Sequence, residues 1–253
     1  MSLEGRVALV TGVSRSIGIG WAIARRLLDE GASVLATGWT PHDDEMPWGA
    51  APIRDPGQHQ NLAFEEADLG DPHTPEALVE SAVDHYGGID IVVAAHARSA
   101  HTGLFDTTIT ELDDCWRINA RASLLLVRAL AERRDANRGP GRAVLFTSGQ
   151  HIAPMDGEIA YAVSKGAIHQ MTASLANAVA DLGITVNCIN PGPVDTGYVT
   201  GETHATVAAA FPSGQWGRPD DVANLTAWLV GDEAAWINGQ VLNSEGGFRR
   251  WKH

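Results

Sequence analysis

Residues 6–31 constrain the fold more than any other stretch. Arg6-Val-Ala-Leu-Val-Thr11 is a short apolar run, the pattern of a strand buried on both faces. It leads into Gly12-Val-Ser-Arg-Ser-Ile-Gly18-Ile-Gly20, after which Trp21 to Gly31 reads as an amphipathic helix closed by glycine. A glycine loop set between a strand and a helix is the context in which a glycine fingerprint signals dinucleotide binding. Glycine admits a pyrophosphate close to the backbone, and the helix N-terminus offers free amides and partial positive charge. Gly12, Ser14, Arg15, Gly18, Ile19 and Gly20 are therefore the candidate cradle; the competing reading is a tight structural turn.

The same alternation continues. Strand-like runs at Ala32–Trp39, Leu62–Ala67, Ile89–Ala95, Ala143–Thr147, Ile184–Ile189 and Gln240–Asn243 are separated by helices from Thr74, from near Thr110, from Tyr161 to about Leu182, and from Pro219. Alternating strands and helices predict an α/β fold: a Rossmann-type, doubly wound parallel sheet in three α/β/α layers. At 253 residues, 1–253 can form one domain. Two stretches interrupt the pattern. Residues 40–61 contain Pro41, Pro47, Pro52 and Pro56 and are expected to form an irregular insertion, either at the cofactor's adenosine end or as a surface excursion. Residues 197–216 are expected to be a variable substrate loop. In such folds the end of the second strand meets the adenosine ribose. Gly38 and Trp39 supply no acid for a 2′-hydroxyl, and Arg15 suits a 2′-phosphate, which favours NADP(H) over NAD(H). Asp43 and Asp44 follow closely and leave NAD(H) open.

Tyr161-Ala-Val-Ser-Lys165 carries the clearest chemical signal. Four residues apart on a helix, the phenol and the amine share a face. A cation there is expected to favour the phenolate, turning a side chain with an ordinary pKa of about 10 into a usable acid and base. The chain's other lysine is Lys252, in the tail, so arginine carries nearly all of its positive charge. Arginine neither releases its proton nor acts as a compact point charge, which argues for a specific role at Lys165.

The net charge of −13 argues against nucleic-acid or anionic-membrane partners. Cys115 and Cys188 lie in apolar segments and read as buried free thiols, which suits a reducing compartment. The ten histidines show no ligand spacing, so no metal is expected. No basic-then-apolar leader precedes the first strand and no run is long enough to span a bilayer, so a cytoplasmic location is expected.

Together these motifs resemble the short-chain dehydrogenase/reductase family, in its short single-domain branch, over nearly the whole chain. Ser148 precedes Tyr161 by thirteen residues and Lys165 follows by four, as in that family. The resemblance implies an NAD(P)(H)-dependent oxidoreductase acting on a carbonyl or secondary alcohol. Tyr161 would exchange the proton with the substrate oxygen, Lys165 would favour the phenolate and hold the nicotinamide ribose, Ser148 would bind the substrate oxygen, and Asn119 would hold a water linking Lys165 to solvent. It also implies that Asp68-Leu69 touch adenine, that Trp39 lies at the ribose end, and that Pro191, Gly192, Val194 and Thr196 meet the carboxamide. Gln150, His151 and Tyr198, with Met155 and Trp216, fall in segments that line the family's substrate pocket. Candidate substrates are 3-oxoacyl thioesters, sugars or polyols, and cyclic ketones. A homotetramer, joined through the helices carrying Asn119 and Tyr161, is the family's usual assembly.

Three departures stand out. Five residues separate Gly12 from Gly18 where the family has three, unless Ser16 takes the second glycine's place. Ala94-Ala95-His96-Ala97 replaces Asn-Asn-Ala-Gly, bringing His96 and Arg98 toward the cofactor; His96 then either touches it or is a core histidine bonded to backbone. Glu245 stands where Asp is usual. These leave room for a rival, a catalytically silent nucleotide-binding scaffold; a second, an epimerase or dehydratase like the family's longer-chain relatives, would need an extra substrate region for which this chain has few residues to spare.

Overall fold

Apolar strands flanked by amphipathic helices can bury both sheet faces only by stacking helices above and below. The computed structural model, which describes residues 2–46, 48–49 and 59–251, shows this arrangement. The strands are β1 (Val7–Thr11), β2 (Ser33–Gly38), β3 (Leu62–Glu66), β4 (Ile91–Ala94), β5 (Gly141–Phe146), β6 (Ile184–Asn190) and β7 (Val241–Asn243). They form one sheet in the order β3-β2-β1-β4-β5-β6-β7, with every neighbouring pair parallel. The order reverses direction between β1 and β4, which opens a crevice beyond their carboxyl ends.

The helices are α1 (Ile19–Asp29), α2 (Thr40–Glu45), α3 (Thr74–Tyr86), α4 (Ile109–Cys115), α5 (Ala122–Arg133), α6 (Ile159–Val179), α7 (Gly201–Ala210) and α8 (Pro219–Val230). Strand residues alternate between two cores. Val7, Leu9 and Val92 face α3, α5 and α6 through Leu78, Leu126 and Ile168. Ala8, Val10 and Val93 face α1 and α8 through Ile23, Leu27 and Ala227. Cys115 and Cys188 are free and buried, and burial pushes both thiols up to about 11.

Two expectations need correction. Thr40–Glu45 is helical, because Pro41 sits in the first turn, where no intrahelical N–H is needed. The rest of the expected insertion, with Pro47, Pro52 and Pro56, lies outside the described residues. Half of the 197–216 loop is likewise helix, at Gly201–Ala210. A third feature had no sequence signal: between α4 and α5 the chain makes a π-helical turn, Trp116–Arg121. Such turns re-aim side chains within a helix and recur at functional sites.

Candidate active site

The glycine loop adopts the longer of its two registers. Gly18 is the N-cap of α1, and a Cβ on Gly20 would collide with the Gly12 carbonyl, so Gly20 lets α1 close against β1. Gly12 itself has φ +76° and packs on the Ala95–His96 backbone, with 2.7 Å left for any Cβ. The two extra residues reach across to the segment after β6. Arg15 Nη1 donates to the Thr196 carbonyl at 2.9 Å, and its guanidinium lies 4.7 Å from the Tyr198 ring centroid. Tyr198 in turn packs on Trp48, tilted, with ring centroids 4.3 Å apart. The structure thus places Tyr198 over the glycine loop.

The cleft beside this loop has a volume of about 280 Å³. Its outer part is lined by Gly12, Ser14, Arg15, Gly18, Ile19, Gly20, Trp39, Asp68 and Leu69. Its inner part reaches His96, Tyr161, Lys165, Pro191, Thr196 and Tyr198. His42, Asp43 and Trp48 also line it, so the segment after β2 contributes a wall, as do Arg98 and Arg117. Gly192 and Val194 lie just behind: Gly192, at φ +65°, packs on Glu245, and Val194 bridges to Gly217. A nicotinamide dinucleotide fits this surface on one structural ground in particular. Arg15 Nε is buried with no partner among the described residues, in a glycine-lined cleft at a helix N-terminus.

At the inner end, α6 carries Tyr161 and Lys165 one turn apart. Lys165 is buried, its Nζ donating to the Phe146 carbonyl at 2.9 Å and standing 5.7 Å from the Tyr161 ring centroid. Burial lowers its pKa to about 8, and among the described residues no carboxylate opposes that. Tyr161 is pushed up to about 12 by burial, with a hydrogen bond to Ser148 acting against the rise. The net shift in the resting fold is thus upward, opposite to the expected one, because loss of water outweighs the favourable hydrogen bond. Ser148 itself sits at the end of β5, its N–H donating to Gln150 Oε1 at 3.2 Å.

Asn119 and His96 are both spent on the protein. Asn119, on the π turn, accepts from the Arg98 N–H at 2.7 Å and donates to the Arg98 carbonyl at 3.0 Å and to Ser164 Oγ at 2.9 Å. It clamps the segment after β4 onto α6. His96 lies between Thr11 Oγ1 at 2.7 Å and the Ile118 carbonyl at 2.9 Å. Burial, then the charge of Lys165, lowers its pKa to about 3, so the ring is neutral. It ties β1 to the π turn, doing the work of a core histidine while lining the cleft.

Comparison with known proteins agrees with this architecture. The sequence model described as enoyl-(acyl carrier protein) reductase matches residues 12–249. The chain belongs to the short-chain dehydrogenase/reductase family. It is 37% identical to the uncharacterized oxidoreductase YjdA of Bacillus subtilis, over 98% of both chains. It is 31% identical to an NADPH-dependent aldehyde reductase-like chloroplastic protein of Arabidopsis thaliana, over 98% of this chain and 96% of that one. Among solved structures, a short-chain dehydrogenase of Burkholderia cenocepacia in complex with NADP matches with a TM-score of 0.84 and 31% identity, covering 98% and 99% of the two chains.

Sequence reasoning did not find Arg250, Asn190 or Asn243, which meet Gly149, Glu245 and His151 beside Ser148. The signals were present: a glycine directly after Ser148 and the Glu at 245.

Proposed function

We propose that this protein reduces a carbonyl, or oxidises the matching secondary alcohol, with NADP(H), using Tyr161, Lys165, Ser148 and Asn119. The observation that carries the reading is the meeting of Tyr161 and Lys165 at the inner end of the glycine-loop cleft, with Ser148 bonded to the phenol. When bound, the nicotinamide supplies or accepts the hydride. Tyr161 transfers the proton at the substrate oxygen, and Ser148 donates a hydrogen bond to that oxygen as charge develops. Lys165 is the nearby cation that stabilises the phenolate, and it takes up the ribose hydroxyls. Asn119 acts one step back, holding α6 and the segment after β4 in register. A silent scaffold would have no use for a buried ammonium without a carboxylate partner.

Preference for NADP(H) rests on the missing acid at Gly38-Trp39 and the unpartnered Nε of Arg15. A carbonyl substrate of the aldehyde or ketone class fits the relatives' names. The buried thiols fit a reducing compartment such as the cytoplasm. Exposed Phe105, Ile109, Trp116, Leu124 and Val163, on α4, α5, α6 and their connections, support self-association as a homotetramer. Among the described residues no helix is long and apolar enough to cross a membrane.

The test is titration with NADPH and NADH, followed by nicotinamide fluorescence, and then an aldehyde and ketone panel. Micromolar NADPH binding with turnover is expected. Binding of neither cofactor would sink the reading.

A further inference from the structure

A run of polar contacts leads from the Ser148 carbonyl to Arg250, whose guanidinium packs on the adjoining Gly149. It starts at the Ser148 carbonyl, which faces His151 Nδ1 at 3.1 Å. His151 Nε2 faces Asn243 Oδ1 at 3.1 Å, at the end of β7; the neutral ring donates to one of the two oxygens and the imidazolium to both. Asn190, wholly buried at the end of β6, donates through Nδ2 to that same Oδ1 and to Glu245 Oε1, each at 2.9 Å. Its own Oδ1 accepts from the Gly192 N–H at 3.1 Å, which fixes the amide's orientation. Glu245 pairs with Arg250. The Arg250 guanidinium lies on Gly149, where any Cβ would collide with it. The run has come back beside the peptide it left.

We infer that this run of contacts positions the Ser148 hydroxyl, with His151 and Arg250 as positioning residues that act on the Ser148–Gly149 peptide from opposite sides. The inference rests on the catalytic reading of Ser148 above and adds what holds that residue in place. It assigns His151 and Glu245 a common task, and a side chain at position 149 would have to displace the guanidinium. The second anchor of the run is apolar. The Arg250 guanidinium lies 5.2 Å from the Phe248 ring centroid, and Phe248 packs on Phe211 at 4.9 Å, so the tail is held against the end of α7. Residues 245–250 thereby couple the substrate-side helix to the loop carrying Ser148. Because His151 and Arg250 are linked in series and bear on the same peptide, losing one is expected to weaken the hold of the other.

The experiment compares Arg250→Met, Arg250→Lys, His151→Gln and the Arg250→Met/His151→Gln double variant. Arg250→Lys keeps the charge beside Glu245 and the apolar stem, so it reports even where Arg250→Met folds poorly. Amide hydrogen exchange over residues 147–153 is expected to rise roughly tenfold in each single variant. The kcat for a carbonyl from the panel is expected to fall on the order of tenfold to a hundredfold, with NADPH affinity unchanged. The double variant is expected to be no worse than the worse single one. Unchanged exchange at 147–153, or losses that multiply in the double variant, would overturn the inference. Tyr161→Phe runs in parallel: turnover by that variant removes the catalytic reading, while the exchange measurement still judges the run of contacts.

Discussion

Lys165→Met is expected to stabilise the protein at neutral pH while removing its activity. The lysine is buried, and its pKa falls from 10.5 to about 8 through burial. Each unit is about 1.4 kcal/mol, so keeping the charge in the fold costs about 3 kcal/mol. Methionine fills nearly the same volume without that cost. Against the gain stands the Phe146 carbonyl, which loses its donor at about 1–2 kcal/mol. The net expectation at neutral pH is a gain of about 1–2 kcal/mol, or a few degrees in Tm. The sign then changes with pH. Between pH 8 and 10.5 the unfolded chain keeps the lysine proton while the folded protein has released it, so wild-type stability from this group rises with pH. Above that window the cost is gone and the variant is the less stable protein. Urea unfolding of both proteins across the window reads the difference, to which Cys115 and Cys188, coupled to Lys165, also contribute. A variant less stable at neutral pH, or a difference that does not move with pH, would refute the account of Lys165 as a buried, unpaired cation.

Tyr161→Phe should abolish turnover with NADPH affinity retained, read by the same fluorescence titration. Arg15→Ala should weaken NADPH more than NADH; equal losses would remove Arg15 from the 2′-phosphate. His96 is held neutral with a pKa of about 3 against 6.5 when unfolded, so acid destabilises the fold: up to about 5 kcal/mol is lost from this group as pH falls from 6.5 to 3. His96→Gln should flatten that limb of an acid-unfolding curve, and an unchanged limb would contradict the burial. Gly20→Ala should cost both stability and cofactor affinity, because its methyl collides with the Gly12 carbonyl.

The order of elements was legible because burial on two faces leaves a mark in the local sequence: β1 and β4 are nearly unbroken apolar runs. The Tyr161–Lys165 pair was legible because helix geometry alone brings them together. What escaped depends on contacts distant in sequence. Nothing near Asn119 announces a π turn, whose cause is the fit between α4, α5 and α6. Tyr198 reads as a substrate-loop aromatic until the longer glycine loop is seen to deliver Arg15 beneath it. Asn190, Asn243 and Arg250 gain meaning only once β6, β7 and the tail converge on the loop after β5. His96 illustrates both sides: its replacement of a family residue was visible, but its partners, Thr11 and Ile118, were not.

The titratable groups at the inner end of the cleft point to a single electrostatic logic. Burial holds His96 neutral and raises Tyr161 and both cysteines well above neutral pH. Lys165 alone keeps its charge at neutral pH, and among the described residues no carboxylate offsets it. A lone cation in a dry pocket is costly in the resting fold and becomes useful only when negative charge appears beside it. In the proposed reaction that charge develops on Tyr161, one helical turn away. The stability gained by Lys165→Met and the activity it loses therefore share one origin. A cavity that solvated the ammonium well would have less stabilisation left to give the phenolate.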